Sequence, residues 1–387
     1  MMRYSTMRGR TPFPQEFKLH VYRLSGDTLN SWLDFKEKYP YLSQNEGNHA
    51  FMDITNALLD AVETGRIVDP EFVWLAAKAG IYTGQLNRTL DITWKFSDSL
   101  PAIRAQAAFA QAFRGQTAES LALLKAAEYM AEKQEDLPSL VELLGIRTFV
   151  LTVQKNFQEA IGVFIKASQL ASGEKEYDQW LQMARVRHAY ALLKLGYISD
   201  ASVANNRVLA LANQAGDRWY KGWALNGLGH CLDRVGKTDD ALKLYNRSLK
   251  VSMDIHATNL TAITLNRIGM SIAWRKKQLE ESADYFRRSI AAASEGDAEW
   301  LIFGPMANLA VVKKMMGQYF EALELFEGVK DRSEGTDVQD QIFAYLNLSD
   351  ILAELGDKER SQEYRAIADE LSKKAKHDEL SERDRQE

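Results

Sequence analysis

The chain has 387 residues, 46% hydrophobic and 26% charged, with a formal net charge of −5 at pH 7. This is the composition of an ordinary globular chain, and its acidic balance opposes the basic footprint of a nucleic-acid binder. The one cysteine, Cys231, excludes an internal disulfide and suits a reducing compartment, and no apolar run approaches the ~20 residues of a membrane-spanning helix.

Residues 1–16 carry Arg3, Arg8 and Arg10 among Ser and Thr, with no acid before Glu16. Pro12 and Pro14 interrupt any amphipathic helix there, so the segment reads as a flexible basic leader on a cytoplasmic protein; organelle import is the alternative. Residues 17–100 have helical patterning without a repeat. Asp27 or Thr28 caps a short helix through Lys38, stopped by Tyr39-Pro40. Asn48 to Glu63 aligns Phe51, Ile54, Leu58, Leu59 and Val62 on one side, and Gly65 ends it. Asp69-Pro70 opens a third helix, with proline in the first turn, and Leu86 to Phe96 supplies a fourth. Together they form a helical cap, or two degenerate repeats, with Trp32, Trp74 and Trp94 as its core.

A period begins near residue 101. Its clearest unit is WYKGWALNGLGHCLDRVGKTDDALKLYNRSLK, Trp219 to Lys250. Leu225, Leu228, Gly229 and Leu232 share one helical face, Gly236 breaks the helix, and Thr238 or Asp239 caps a second helix bearing Ala241, Leu242, Tyr245, Ser248 and Leu249. So short a turn makes the two helices antiparallel, and Gly229 and Ala241 let their axes approach. The small anchor recurs as Ala108, Thr148, Ala189, Gly229, Gly269, Ala310 and Ser349, about 40 residues apart. Seven residues beyond each stand Gly115, Lys155, Gly196, Gly236, Lys276, Gly317 and Gly356. Twelve beyond stand Ser120, Ala160, Ala201, Ala241, Ala322 and Ser361, with Ser282 one residue late in the fifth unit. Pro101, Pro138 and Pro305 mark the starts of three first helices.

Small residue, break, Ala, aromatic and small residue in this order resemble the tetratricopeptide repeat in its longer form of about forty residues, best in GLGHCLDRVGKTDDALKLYNRSL and NLAVVKKMMGQYFEALELFEGV. Leu225 stands where the family's signature Trp is expected, and Asn205 and Arg365 stand where an aromatic is. The resemblance implies an all-α, right-handed α-solenoid of seven hairpins over residues 101–371, behind the cap and ahead of a charged tail, 372–387. It also implies that first helices line a concave groove. The positions that would face it hold Arg187, Trp223, Asn226, His230, Asn266, Arg267, Asn308 and Asn347.

Asparagine is a mediocre helix former because its amide competes for backbone bonds, so one on each of four first helices calls for a reason. A primary amide offers both donor and acceptor, and a row of them can grip an extended peptide backbone; arginines alongside can take a carboxylate or phosphate. Bonding between adjacent helices is the structural alternative. The amino-terminal groove positions, among them Phe109, Phe113, Ile146 and Phe149, are apolar, to be covered by the chain's own amino-terminal region or by a partner helix.

No phosphate-binding loop, nucleophile elbow or zinc-protease motif occurs, and the six histidines lack metal-ligand spacing. Cys231 reads as a buried structural thiol. These features point to a non-catalytic adaptor or scaffold without cofactor or metal, binding a protein or peptide segment. A regulatory sensor of a peptide or small ligand is the runner-up, and RNA binding by a helical array is opposed by the acidic charge.

Overall fold

The computed structural model describes residues 48–66, 68–172, 181–333 and 338–383. The basic leader, the short helix expected through Lys38 and Trp32 lie outside these residues. Every described element is helical: α1 (Asn48–Glu63), α2 (Pro70–Tyr82), α3 (Leu86–Phe96), α4 (Pro101–Phe113), α5 (Thr117–Lys133), α6 (Leu137–Val153), α7 (Phe157–Leu170), α8 (Gln182–Lys194) and α9 (Ile198–Ala215). Then follow α10 (Arg218–Arg234), α11 (Thr238–Asp254), α12 (Thr258–Ser271), α13 (Leu279–Glu295), α14 (Trp300–Met315), α15 (Tyr319–Ser333), α16 (Val338–Glu354) and α17 (Lys358–Arg383). From α4 onward they pair as seven hairpins of an all-α helical-repeat solenoid. α17 continues as helix through Arg383, beyond the expected limit of the array at 371.

The chain divides into two compact units. The first runs to Thr264 and includes Ala292–Trp300; the second comprises Leu265–Ala291 and the chain from Leu301.

All seven anchors are buried. At Gly229 an added Cβ would lie 2.7 Å from Tyr245 Cδ1 and 3.2 Å from the Ala241 carbonyl, and at Gly269 2.7 Å from Phe286 Cε1. In these two hairpins the aromatic of the second helix therefore rests where the glycine side chain is missing. Serine replaces alanine in two units by bonding back to the anchor: Ser120 Oγ donates to the Ala108 carbonyl at 2.7 Å and Ser361 Oγ to that of Ser349 at 2.9 Å.

Breakers sit in the left-handed region at Gly115, Lys155, Gly196, Gly236, Gly317 and Gly356. The fifth unit differs. Its breaker is Lys277, with φ 61°, in place of the expected Lys276. Residues Ile272–Lys276 form a π turn, which takes up one extra residue and delays everything after it by one. This accounts for Ser282. Lys277→Gly should relieve the side-chain penalty of a positive φ and stabilise by about 1 kcal/mol, read as a higher melting temperature.

Three further expectations are corrected. Pro305 lies inside α14, which starts at Trp300 and forgoes one backbone bond, that to the Leu301 carbonyl. The cap of α11 is Lys237, without a side-chain bond, while Thr238 is the first helical residue and its hydroxyl donates to Asp233. Trp94 is 52% exposed: the buried side of α3 is Leu86, Thr89, Leu90, Ile92 and Thr93. Trp74 by contrast is 7% exposed, and Leu58, Leu59, Val62 and Val73 pack in the same amino-terminal core.

α2 and α3 obey the hairpin rule with a buried anchor at Ala77, Gly84 at φ +80° seven residues on, and buried Thr89 twelve on. The forty-residue search misses this hairpin because Ala77 precedes Ala108 by only 31 residues (108 − 77).

Candidate functional site

In the first unit, α4, α6, α8 and α10 present their first-helix faces to an interior that their own side chains fill. Phe109, Phe113 and Phe149 meet with ring centroids 4.6–5.0 Å apart. The Arg187 guanidinium lies between two rings, 4.2 Å from the Phe149 centroid and 4.4 Å from that of Trp223. Trp219 touches Trp223 at 5.5 Å and stacks on Tyr82 of α2 at 4.3 Å with planes 8° apart.

The turn between α2 and α3 closes this unit on itself. The Thr258 hydroxyl reaches the Thr83 carbonyl at 3.5 Å, and Asn87 N–H donates to Asp297 Oδ2 at 3.4 Å. Gly84 makes the approach possible: a Cβ there would collide with Thr258 Oγ1 and stand 2.9 Å from the Gly296 Cα. The apolar amino-terminal groove positions are thus covered from within the unit.

The expected site residues here take other roles. Arg187 and Trp223 are 6% and 5% exposed, Arg187 held as a cation between rings. Asn226 is 3% exposed; its amide donates to Thr264 Oγ1 at 2.9 Å, and Ser248, 3.4 Å from Thr264, donates to the Gly222 carbonyl. This network ties α10, α11 and α12, so the expectation that Asn226 turns its amide into an open concavity is corrected. The residue satisfies the helix-to-helix alternative. Only His230, half-buried on α10, keeps part of its surface. Cys231 is 4% exposed against Leu193 and Ala201.

In the second unit the side chains remain half-buried. Asn266 and Arg267 stand on α12, Asn308 on α14 and Asn347 on α16. Asn308 Nδ2 donates to Asn266 Oδ1 at 3.0 Å. One amide bond thereby leaves an Nδ2 donor on Asn266 and an Oδ1 acceptor on Asn308 side by side. Asn347 is occupied at both ends: Nδ2 donates to the Phe343 carbonyl at 2.9 Å, and Oδ1 accepts from Lys314, which also pairs with Asp350 at 2.8 Å. The structure brings Asn266 and Asn308 together and ties Asn347 into its own helix and an ion pair.

Sequence reasoning missed two groups. Glu142 of α6, 8% exposed, accepts from Trp74 Nε1, Lys78 Nζ and Gln106 Nε2 and so joins α2, α4 and α6. Asp217, 3% exposed, caps α10 by accepting from Tyr220 N–H at 2.9 Å, and burial pushes its carboxyl up to about 7. The signal for Asp217 was its place before the first helical residue; nothing in the sequence places Glu142 beside α2. Among the described residues no group of three His, Cys, Asp or Glu can hold a metal ion, and no helix is long and apolar enough to cross a membrane.

Comparison with known proteins gives a repeat-family match over part of the chain and a fold for most of it. Residues 220–295 match the tetratricopeptide-repeat family model. No curated protein matches the chain. Among solved structures, a Rap protein complexed with competence and sporulation factor is similar with a TM-score of 0.58 at 12% identity, over 85% of this chain and 99% of that one. The Cut9–Hcn1 hetero-tetramer of the APC/C gives 0.53 at 14% identity, over 92% and 70%. Aspartyl phosphate phosphatase F from Bacillus subtilis gives 0.49 at 12%, over 95% and 93%. At these identities the first two speak for the helical-repeat fold alone. Residues 220–295 thus carry tetratricopeptide repeats, and the flanking hairpins repeat their buried anchors and helix breakers.

Proposed function

We propose that the protein is a non-catalytic interaction scaffold that holds an extended protein segment on the first-helix face of its second unit. One observation carries this reading: the Asn308–Asn266 bond leaves an amide donor and an amide acceptor adjacent on a half-buried surface. A peptide unit presents the complementary pair, C=O and N–H, whatever its side chain. Arg267, next to Asn266 on α12, would take an acidic side chain or a chain terminus. The fold fits the role, since stacked hairpins build long surfaces from short repeated parts.

The test is a peptide-display selection against the wild-type protein, followed by titration of the selected peptides with Asn266→Ala and Asn308→Ala variants. Each net hydrogen bond is worth about 0.5–1.5 kcal/mol, and a desolvated partner left unpaired costs about 1–3. Each variant should therefore weaken binding roughly three- to a hundred-fold at unchanged melting temperature. Asn226→Ala should do the reverse, lowering the melting temperature through loss of the Thr264 bond. Equal affinities for wild type, Asn266→Ala and Asn308→Ala would remove the basis of the proposal. The runner-up, a sensor in which a bound peptide or small ligand governs a second partner, draws support from the similarity in fold to the Rap protein solved with a factor bound.

A further inference from the structure

The second unit has a gap beside its amide pair. Six residues before each anchor, the first helices from α8 to α16 carry Met183, Trp223, Ile263, Gly304 and Phe343. A large apolar side chain thus stands at this place on every one of them but α14. Gly304 lies inside α14 and is half-buried, at a point where glycine is a poor helix former. Packing does not demand it. Among the described residues, outside its own helix backbone and its two chain neighbours, only Asn266 Nδ2 comes within 4 Å of a Cβ added there, at 3.7 Å. At Gly229 and Gly269 the missing side chain makes room for a ring of the same hairpin. At Gly304 it makes room for nothing in the chain.

Pro305 supplies a backbone reason for this glycine, since the Cβ of a residue before proline meets the proline ring when the backbone is helical. That reason concerns α14 alone. It does not account for the amide of Asn266, a side chain of α12, at the edge of the gap.

Asn266 uses its Oδ1 to accept from Asn308 and keeps Nδ2 as a donor. With no side chain on Gly304, the approach to that donor across α14 stays open. A leucine there would lie over it. Asn308 stands four residues beyond Gly304, on the same face of α14, and brings its Oδ1 acceptor to the same place. In an extended chain the N–H and C=O of one residue point to the same side, which is how paired strands exchange two bonds. Such a residue can give its N–H to Asn308 Oδ1 and accept at its C=O from Asn266 Nδ2. Its backbone must then come close to α14, and glycine leaves that space clear.

We propose that Gly304 is the positioning residue of this site: the bound segment crosses it backbone-first in extended form, and the missing side chain gives one of its residues access to the Asn266–Asn308 pair. The inference rests on the peptide-holding reading given above. It adds a requirement on the partner. The residue over Gly304 supplies a backbone N–H, so it is not proline.

Peptides selected on the wild-type protein serve as probes, titrated by fluorescence anisotropy against Gly304→Leu, Asn266→Ala and the double variant. Gly304→Leu should weaken binding about as much as Asn266→Ala, roughly three- to a hundred-fold, because it covers the same donor. In the double variant the two losses should not add, since a covered donor has nothing left to lose. N-methylation scanned along the peptide should reduce affinity sharply at one residue, and that loss should shrink in Asn308→Ala. Leucine gains in helix propensity what it loses against Pro305, so the melting temperature should change little. If Gly304→Leu does not fold, the same substitution combined with Pro305→Ala, which removes the clash, takes its place. The inference is overturned if a folded Gly304→Leu variant binds the peptides as wild type does, or if the two losses add in full. Unchanged binding in Asn266→Ala would defeat the peptide-holding reading and this inference with it. A loss in Asn266→Ala without one in Gly304→Leu defeats only the role of Gly304.

Discussion

Gly229→Leu is expected to destabilise the protein by about 3 kcal/mol or more and to lower its melting temperature accordingly. Overpacking a well-packed core typically costs about 1–3 kcal/mol, when the neighbours can shift. Here they cannot shift easily. The first added carbon already lies 2.7 Å from two carbons of the Tyr245 ring and 3.2 Å from the Ala241 carbonyl, and Tyr245 is 1% exposed. The ring cannot swing outward without opening the hairpin, and the carbonyl is backbone. Leucine then adds three more carbons along the same line. Gly162 provides the control: on exposed helix α7, with nothing within 4 Å of its added Cβ, Gly162→Ala should be neutral or stabilise by about 1 kcal/mol through helix propensity. Thermal or urea unfolding of the two variants reads the contrast. Equal melting temperatures for Gly229→Leu and wild type would mean that the α10–α11 interface is not the close contact described.

The hairpins were legible because their cause is local. A small anchor, a residue tolerant of positive φ and a second small residue lie within twelve positions of one another, and each acts through the nearest turn or the facing helix. For the same reason the limits of α1 and α3 match the sequence expectation to the residue. What failed depends on more distant partners. The π turn at Ile272–Lys276 has no strong composition signal, only the late Ser282. The filled interior of the first unit depends on the turn at Gly84 meeting Thr258 and Gly296, contacts about 175 residues or more apart in sequence. That closure decides the fate of Arg187. Read as a free guanidinium it is a donor for an acid; enclosed, its flat faces pack on Phe149 and Trp223. Asn226 shows the same ambiguity in miniature, since an amide on a first helix serves a ligand or a neighbouring helix equally well, and Thr264 on the next first helix settles it.

Asp217→Asn should change how stability depends on pH, gaining on the wild type by up to about 4 kcal/mol between pH 4 and pH 7. Burial lifts the Asp217 carboxyl from its usual value near 3.8 to about 7, while the N–H groups of Tyr220 and Trp219 and the charge of Lys78 pull the other way without prevailing. Between those two values the folded chain keeps a proton that the unfolded chain has lost. Fewer protons are then bound on unfolding, so stability falls as pH rises from about 4 to about 7 and is level above. At about 1.4 kcal/mol per pH unit the full fall is about 4 kcal/mol. His188 slopes the opposite way. Burial against Phe164, ring centroids 4.0 Å apart, lowers it to about 4 from 6.5, so the unfolded chain takes up the extra proton and stability rises with pH across that window. In the wild type the two trends offset each other between pH 4 and about 6.5. Asparagine keeps the cap on Tyr220 N–H but cannot ionise, since its carbonyl oxygen accepts the same bond. The variant therefore retains only the rising trend of His188, and subtracting wild type from variant isolates Asp217. Urea unfolding of both proteins from pH 4 to pH 8 measures the difference directly. A difference that stays constant across that range would place the Asp217 carboxylate in a solvated setting and contradict its burial at the start of α10.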